Sequence, residues 1–139
     1  MLRDIAAVAI GGLVGTALRL SIDAALPHTT AEFPWSTLII NVLGALVLGA
    51  MVGGLWARPG LPHWLRAGLG AGVLGSFTTF SAVMVSLVGM TAADAGGPAA
   101  AYLAASLVLG LGGALLGLRV GSAAAHRAMP REITEGETQ

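Results

Sequence analysis

Four long apolar runs, nearly empty of charge, leave this chain few ways to fold. Residues 5–26, 35–56, 64–93 and 98–118 are each long enough to cross a bilayer, whose hydrocarbon core is about 30 Å thick and takes roughly 20 apolar residues as a helix. Lipid offers no hydrogen bonds to a backbone, and a helix satisfies its own polar groups within one segment. The expectation is an all-α membrane protein with four transmembrane helices. With 55% hydrophobic and 10% charged residues, the composition lies far from that of a soluble domain. Residues 1–128 read as one transmembrane unit and 129–139 as a polar, disordered tail. Trp35, Trp56 and Trp64 mark run ends, where the headgroup level suits an indole.

The distribution of charge sets orientation and excludes several functions. Every basic residue is Arg, and six of the seven flank the same side: Arg3; Arg58 and Arg66 after the second run; Arg119, Arg127 and Arg131 after the fourth. The connections after runs one and three carry no Lys or Arg. Positive residues stay inside, so both termini are expected in the cytoplasm of a multi-pass protein of the cell membrane. The remaining cation, Arg19, lies within run one. The formal net charge is zero, and no basic cluster is large enough to hold a nucleic acid backbone. The absence of Cys removes disulfides, thiolate metal sites and cysteine nucleophiles.

Glycine recurs at small-x-x-x-small spacing in all four runs: Gly11/Gly15, Gly49/Gly53, Gly68/Gly72/Ser76 and Gly113/Gly117/Gly121. In lipid this spacing lets helix backbones approach one another. Gly70, Gly72 and Gly75 also satisfy G-x-G-x-x-G, with Asp94 downstream. A dinucleotide site needs a strand before that motif and a parallel sheet around it, so helix packing accounts better for these glycines. His28, His63 and His126 are far apart without ligand-spaced partners, and the carboxylates are terminal or interfacial. No residue set for an enzyme survives, and no mid-membrane carboxylate offers a proton-carrier site.

What remains inside the membrane is polar and uncharged: Asn41, then Ser76, Thr78, Thr79 and Ser81, then Tyr102 and Ser106. An amide with two donors and two acceptor sites must face a partner helix or an aqueous path. Hydroxyl residues and two phenylalanines crowd residues 72–81, so the third helix is expected to break there. A break exposes carbonyls at the end of one half and N–H groups at the start of the next. The carbonyls suit a small cation, and the N–H end an anion. Phe80 adds an electropositive ring edge.

Gly11-Gly12-x-x-Gly15-x-x-x-Arg19, Asn41-x-x-Gly44 and Gly72-x-x-Gly75-x-x-Thr78-Thr79-Phe80-Ser81 together resemble the CrcB/Fluc family of fluoride channels. The resemblance implies passive fluoride export by an antiparallel dimer of four-helix subunits with a broken third helix. It assigns Asn41, Thr79, Phe80, Ser81, Tyr102 and Ser106 to the fluoride path, and Arg19 to a vestibule or the dimer interface. A structural sodium ion at the dimer centre would take the carbonyls of Gly75 and Thr78. Two departures matter. The family commonly has a second Phe three residues after the first, where this chain has Val83. The Arg asymmetry also opposes insertion of one chain in both orientations. Together they favour a heterodimer with an oppositely inserted paralogue over an antiparallel pair of two copies of this chain, in a lipid environment. The competing readings are a small dual-topology multidrug carrier and a non-conducting structural subunit.

Overall fold

The computed structural model describes residues 1–29 and 32–128, so the expected tail at 129–139 lies outside the described residues. The helices are α1 (Leu2–Ala25), α2 (Trp35–Leu55), α3 (residues 63–77), α4 (Phe80–Ala92) and α5 (Gly96–Ala128). By length and apolarity four helical stretches can cross a membrane: Leu2–Ala25, Trp35–Leu55, His63–Ala92 and Gly96–Arg127. Pro27 follows the end of α1 and cannot donate to a further turn. After α4 the chain reverses through Asp94 at φ +57°, a left-handed conformation that short polar side chains tolerate. Pro98 then occupies the first turn of α5, where its missing N–H is one that a helix leaves unpaired.

Glycine decides which helices touch. A methyl group on Gly11 would overlap the Gly68 carbonyl, and one on Gly15 the Val73 carbonyl, so α1 lies directly on α3. Gly49 and Gly53 meet the carbonyls of Ala114 and Leu118 in the same way, and Gly117 and Gly121 meet those of Leu46 and Ala50, so α2 lies on α5. In each pair the residue numbers advance together, which makes both pairs parallel. Close backbone approach of this kind replaces hydrophobic burial as the source of helix association in lipid and allows weak Cα–H···O contacts.

α2 and α3 each widen locally to i→i+5 bonding, at Met51–Leu55 and Gly68–Leu74. In α2 the Trp56 N–H reaches the Met51 carbonyl at 2.8 Å. Both widened stretches are glycine-rich, and the Trp56 ring packs against Gly70, about 3.0 Å from where a methyl would stand.

Thr78 and Thr79, between α3 and α4, have extended backbone (φ/ψ −78°/152° and −148°/118°). The chain changes partners there. α3 packs along α1, whereas α4 packs on α5 and α2. Leu38, Val83, Met90, Ala99 and Tyr102 form the buried core of that second arrangement.

α5 departs furthest from the expected boundary. It continues through Arg119 to Ala128, ten residues past Leu118, and its 33 residues span about 50 Å at 1.5 Å per residue. Arg119 ends the apolar run but not the helix, because Gly121 still seats against the Ala50 carbonyl and α2 supports the extra turns. Substituting Gly117→Ala, where a methyl meets backbone, is expected to cost about 1–3 kcal/mol and to lower the thermal midpoint of the detergent-solubilised protein. Gly112→Ala, where the space is open, should leave the midpoint unchanged.

Candidate functional site

The extended pair Thr78-Thr79 cannot remain in hydrocarbon with its backbone unpaired, since each unsatisfied group costs several kcal/mol. Asn41 on α2 resolves this. Its Nδ2 donates to the Thr79 carbonyl at 3.0 Å, and its Oδ1 accepts the Thr79 N–H at 2.8 Å. A backbone N–H only donates and a carbonyl only accepts, so one amide orientation satisfies both bonds. The side chain of Asn41 thus does what a neighbouring β-strand would do for one residue.

This pairing redirects the helix ladder. In an unbroken helix the Thr79 N–H would close on the Gly75 carbonyl; here it goes to Asn41. The Ala82 N–H, which would close on the Thr78 carbonyl, goes at 3.2 Å to Oγ1 of Thr79, the N-cap of α4. Gly75 and Thr78 therefore carry carbonyls whose regular helical donors are engaged elsewhere. The Thr79 carbonyl is occupied by Asn41. Thr78 is further held by its own hydroxyl, which donates to the Leu74 carbonyl at 2.9 Å, while its methyl fills the place a Cβ of Gly44 would take.

A groove of about 410 Å³ opens beside this junction. Asn41, Gly44, Ala45 and Leu48 form its α2 wall, Gly70, Leu74 and Gly75 its α3 wall, and Thr78, Thr79 and Phe80 its end. None of these side chains is charged. Phe80 is 75% exposed, so a large ring stands free at the mouth of the groove. Ser81 is exposed next to it, with its Oγ 3.2 Å from Thr79 Oγ1.

Five of the residues singled out from sequence, Asn41, Gly75, Thr78, Thr79 and Phe80, thus line one groove, and Ser81 adjoins it. The other three lie elsewhere. Tyr102 is fully buried, with its ring edge-on to Phe33 at 5.4 Å. Its hydroxyl and that of Ser106, one turn along α5, are buried without hydrogen-bond partners among the described residues. Arg19 is half-buried on α1, and its Nε is likewise buried without a partner there. Val83 does not enter the groove: it is 6% exposed and packs with Leu38, Met90 and Tyr102. A larger ring at position 83 would have to displace this core. In the rest of the groove wall, Ala45 and Leu48 carry no chemistry of their own, yet with Asn41 and Gly44 they follow i, i+3, i+4, i+7 and share one helix face.

Replacing Asn41 by Leu leaves the Thr79 N–H and carbonyl unpaired at a cost of about 1–3 kcal/mol each. Faster amide exchange at Thr79, with that at Gly117 unchanged, is the expected outcome by hydrogen–deuterium exchange.

Sequence comparison places this arrangement among known proteins. The family described as "CrcB-like protein, Camphor Resistance (CrcB)" matches residues 6–118. A protein of Novosphingobium aromaticivorans named "Fluoride-specific ion channel FluC" is 44% identical over 116 residues, covering 81% of this chain and 91% of the relative. "Fluoride-specific ion channel FluC 2" of Thermobifida fusca is 37% identical over 134 residues, 96% of each chain. The Thermus thermophilus protein named "Fluoride-specific ion channel FluC" is 39% identical over 117 residues, 84% of this chain and 93% of the relative. With the family match running through all four apolar stretches, the chain belongs to the CrcB-like family of membrane channel proteins, not to a family of enzymes.

Proposed function

We propose that this chain is a subunit of a channel that lets fluoride leave the cell passively; its relatives are named fluoride-specific ion channels. The observation that carries the reading is the Asn41–Thr79 junction at the edge of an uncharged groove. A small, strongly hydrated anion can exchange its water for amide and hydroxyl donors without being trapped by a fixed charge. One Nδ2 hydrogen of Asn41 remains for such an ion, since the bond to Thr79 uses only the other. The hydroxyls of Thr79 and Ser81 and the ring edge of Phe80 continue the path in this reading, and the unpartnered hydroxyls of Tyr102 and Ser106 supply further donors. Arg19 attracts the anion from a vestibule.

The exposed groove is half of a site. A second subunit, inserted the opposite way, covers it and brings two third spans together at their breaks. The carbonyls of Gly75 and Thr78, freed from the helix ladder, suit a cation that prefers oxygen ligands, here sodium. Bound there, sodium supplies positive charge and a fixed geometry, while Asn41 and Thr79 keep its carbonyl ligands out of the ladder. Some relatives carry numbered names, FluC 1 and FluC 2, which supports a paired paralogue as the partner. The one-sided arginines agree with a chain whose termini both remain cytoplasmic.

Fluoride efflux from liposomes tests the reading. Vesicles containing this chain with its oppositely biased paralogue should release fluoride, and Phe80→Ile in this chain should reduce release to background. Robust release from this chain alone would refute the obligate heterodimer but leave the channel intact. The cation site has a separate measure. At a hundredfold excess over Kd, a bound ion stabilises the fold by about 2.7 kcal/mol, so sodium, unlike a bulky organic cation, should raise the thermal midpoint. Asn41→Ala, which unfastens the extended Thr78-Thr79 junction that presents these carbonyls, should remove that rise.

A further inference from the structure

At the opposite end of the molecule from the Tyr102 core, α1 and α3 border an open surface cavity that the ion path does not use. It has a volume of about 350 Å³ and is lined by Arg3, Ala6, Ala7, Ile10 and Trp64. The four α1 residues fall at i, i+3, i+4 and i+7, a single helix face, with a guanidinium at its head and apolar atoms below. The fifth, Trp64 on α3, stands as the facing wall and is 42% exposed. The groove exists because its floor is small: Ala7 is the residue against which Gly68 packs, about 3.0 Å from where a Gly68 methyl would stand. From Arg3 to Ile10 the face runs about 10 Å along the axis, at 1.5 Å per residue.

The neighbouring charges leave Arg3 available. Asp4 is turned to other partners, with its carboxylate 3.1 Å from the N-terminal ammonium and 3.3 Å from His63 Nδ1. Arg66, the other cation at this end of α3, donates to the Trp56 carbonyl at 2.8 Å. The ion pairs and side-chain hydrogen bonds of the described residues do not include Arg3. A cation at the water-facing end of an apolar furrow, beside an indole at headgroup level, matches one kind of molecule in both parts.

We propose that this cavity binds an anionic phospholipid, its phosphate on the Arg3 guanidinium and the upper part of an acyl chain along Ala6, Ala7 and Ile10 against Trp64. A free anion would leave the apolar furrow unfilled. A zwitterionic lipid would bring a second cation beside Arg3.

The test is native mass spectrometry of the purified, delipidated protein offered phosphatidylglycerol and phosphatidylcholine at equal concentration. Phosphatidylglycerol should be retained in preference. Arg3→Gln should lower that preference about fivefold, the effect of one basic residue at an anionic surface. Ala6→Leu fills the furrow without changing charge, and should lower retention of both lipids. Inorganic phosphate should not displace the bound lipid. Equal retention of the two lipids, a preference for phosphatidylcholine, displacement by phosphate, or binding unaltered in both variants would each overturn the proposal, as would a dimer that buries this face and retains no lipid.

Discussion

The carboxamide of Asn41, bonded to both backbone groups of Thr79, is the interaction on which the remaining geometry depends. Two consecutive extended residues within a membrane span are costly, because no water is present to pair them. One side chain from α2 removes that cost at Thr79, and the Thr79 hydroxyl, as N-cap, removes part of it for α4. The carbonyls of Gly75 and Thr78 lose their usual donors as a direct result. Relief of one set of unpaired groups therefore creates another, in a groove that Asn41 itself lines.

That junction also permits the helix arrangement. α3 follows α1 through glycine contacts, while α4 joins α2 and α5 around Tyr102. A continuous third helix would stay on one partner. By changing direction at Thr78-Thr79 the chain links two parallel helix pairs that otherwise touch little. Gly44, whose missing Cβ admits the Thr78 methyl, allows α2 to come close enough for Asn41 to reach.

Most of the architecture was legible in the sequence because it rests on local quantities. Apolar length predicts the spans, and small-residue spacing marks the faces by which helices approach. Gly15 and Gly117, chosen from spacing alone, are both positions where a methyl would overlap a neighbouring carbonyl. The end of α5 was not legible in this way, since hydropathy registers Arg119 as a boundary while helicity depends on Gly121 resting against α2. Val83 is the sharper case. The sequence marks only the absence of a ring there, whereas the structure shows what surrounds the side chain: Leu38, Met90 and Tyr102. Which face of α4 turns inward depends on where the chain re-enters the helix after Thr79.

The sequence by itself determined the solvent, the number of crossings and the identity of the polar residues, because the cost of burying charge or backbone in hydrocarbon is large and local. Only the tertiary structure decided what those residues do to one another. Asn41 and Thr79 are 38 positions apart, and no periodicity in either helix signals that the amide of one completes the backbone of the other. That pairing depends on two helices meeting at a particular height and rotation. Glycine makes so close a meeting possible, while the packed shape of the whole chain sets where it occurs.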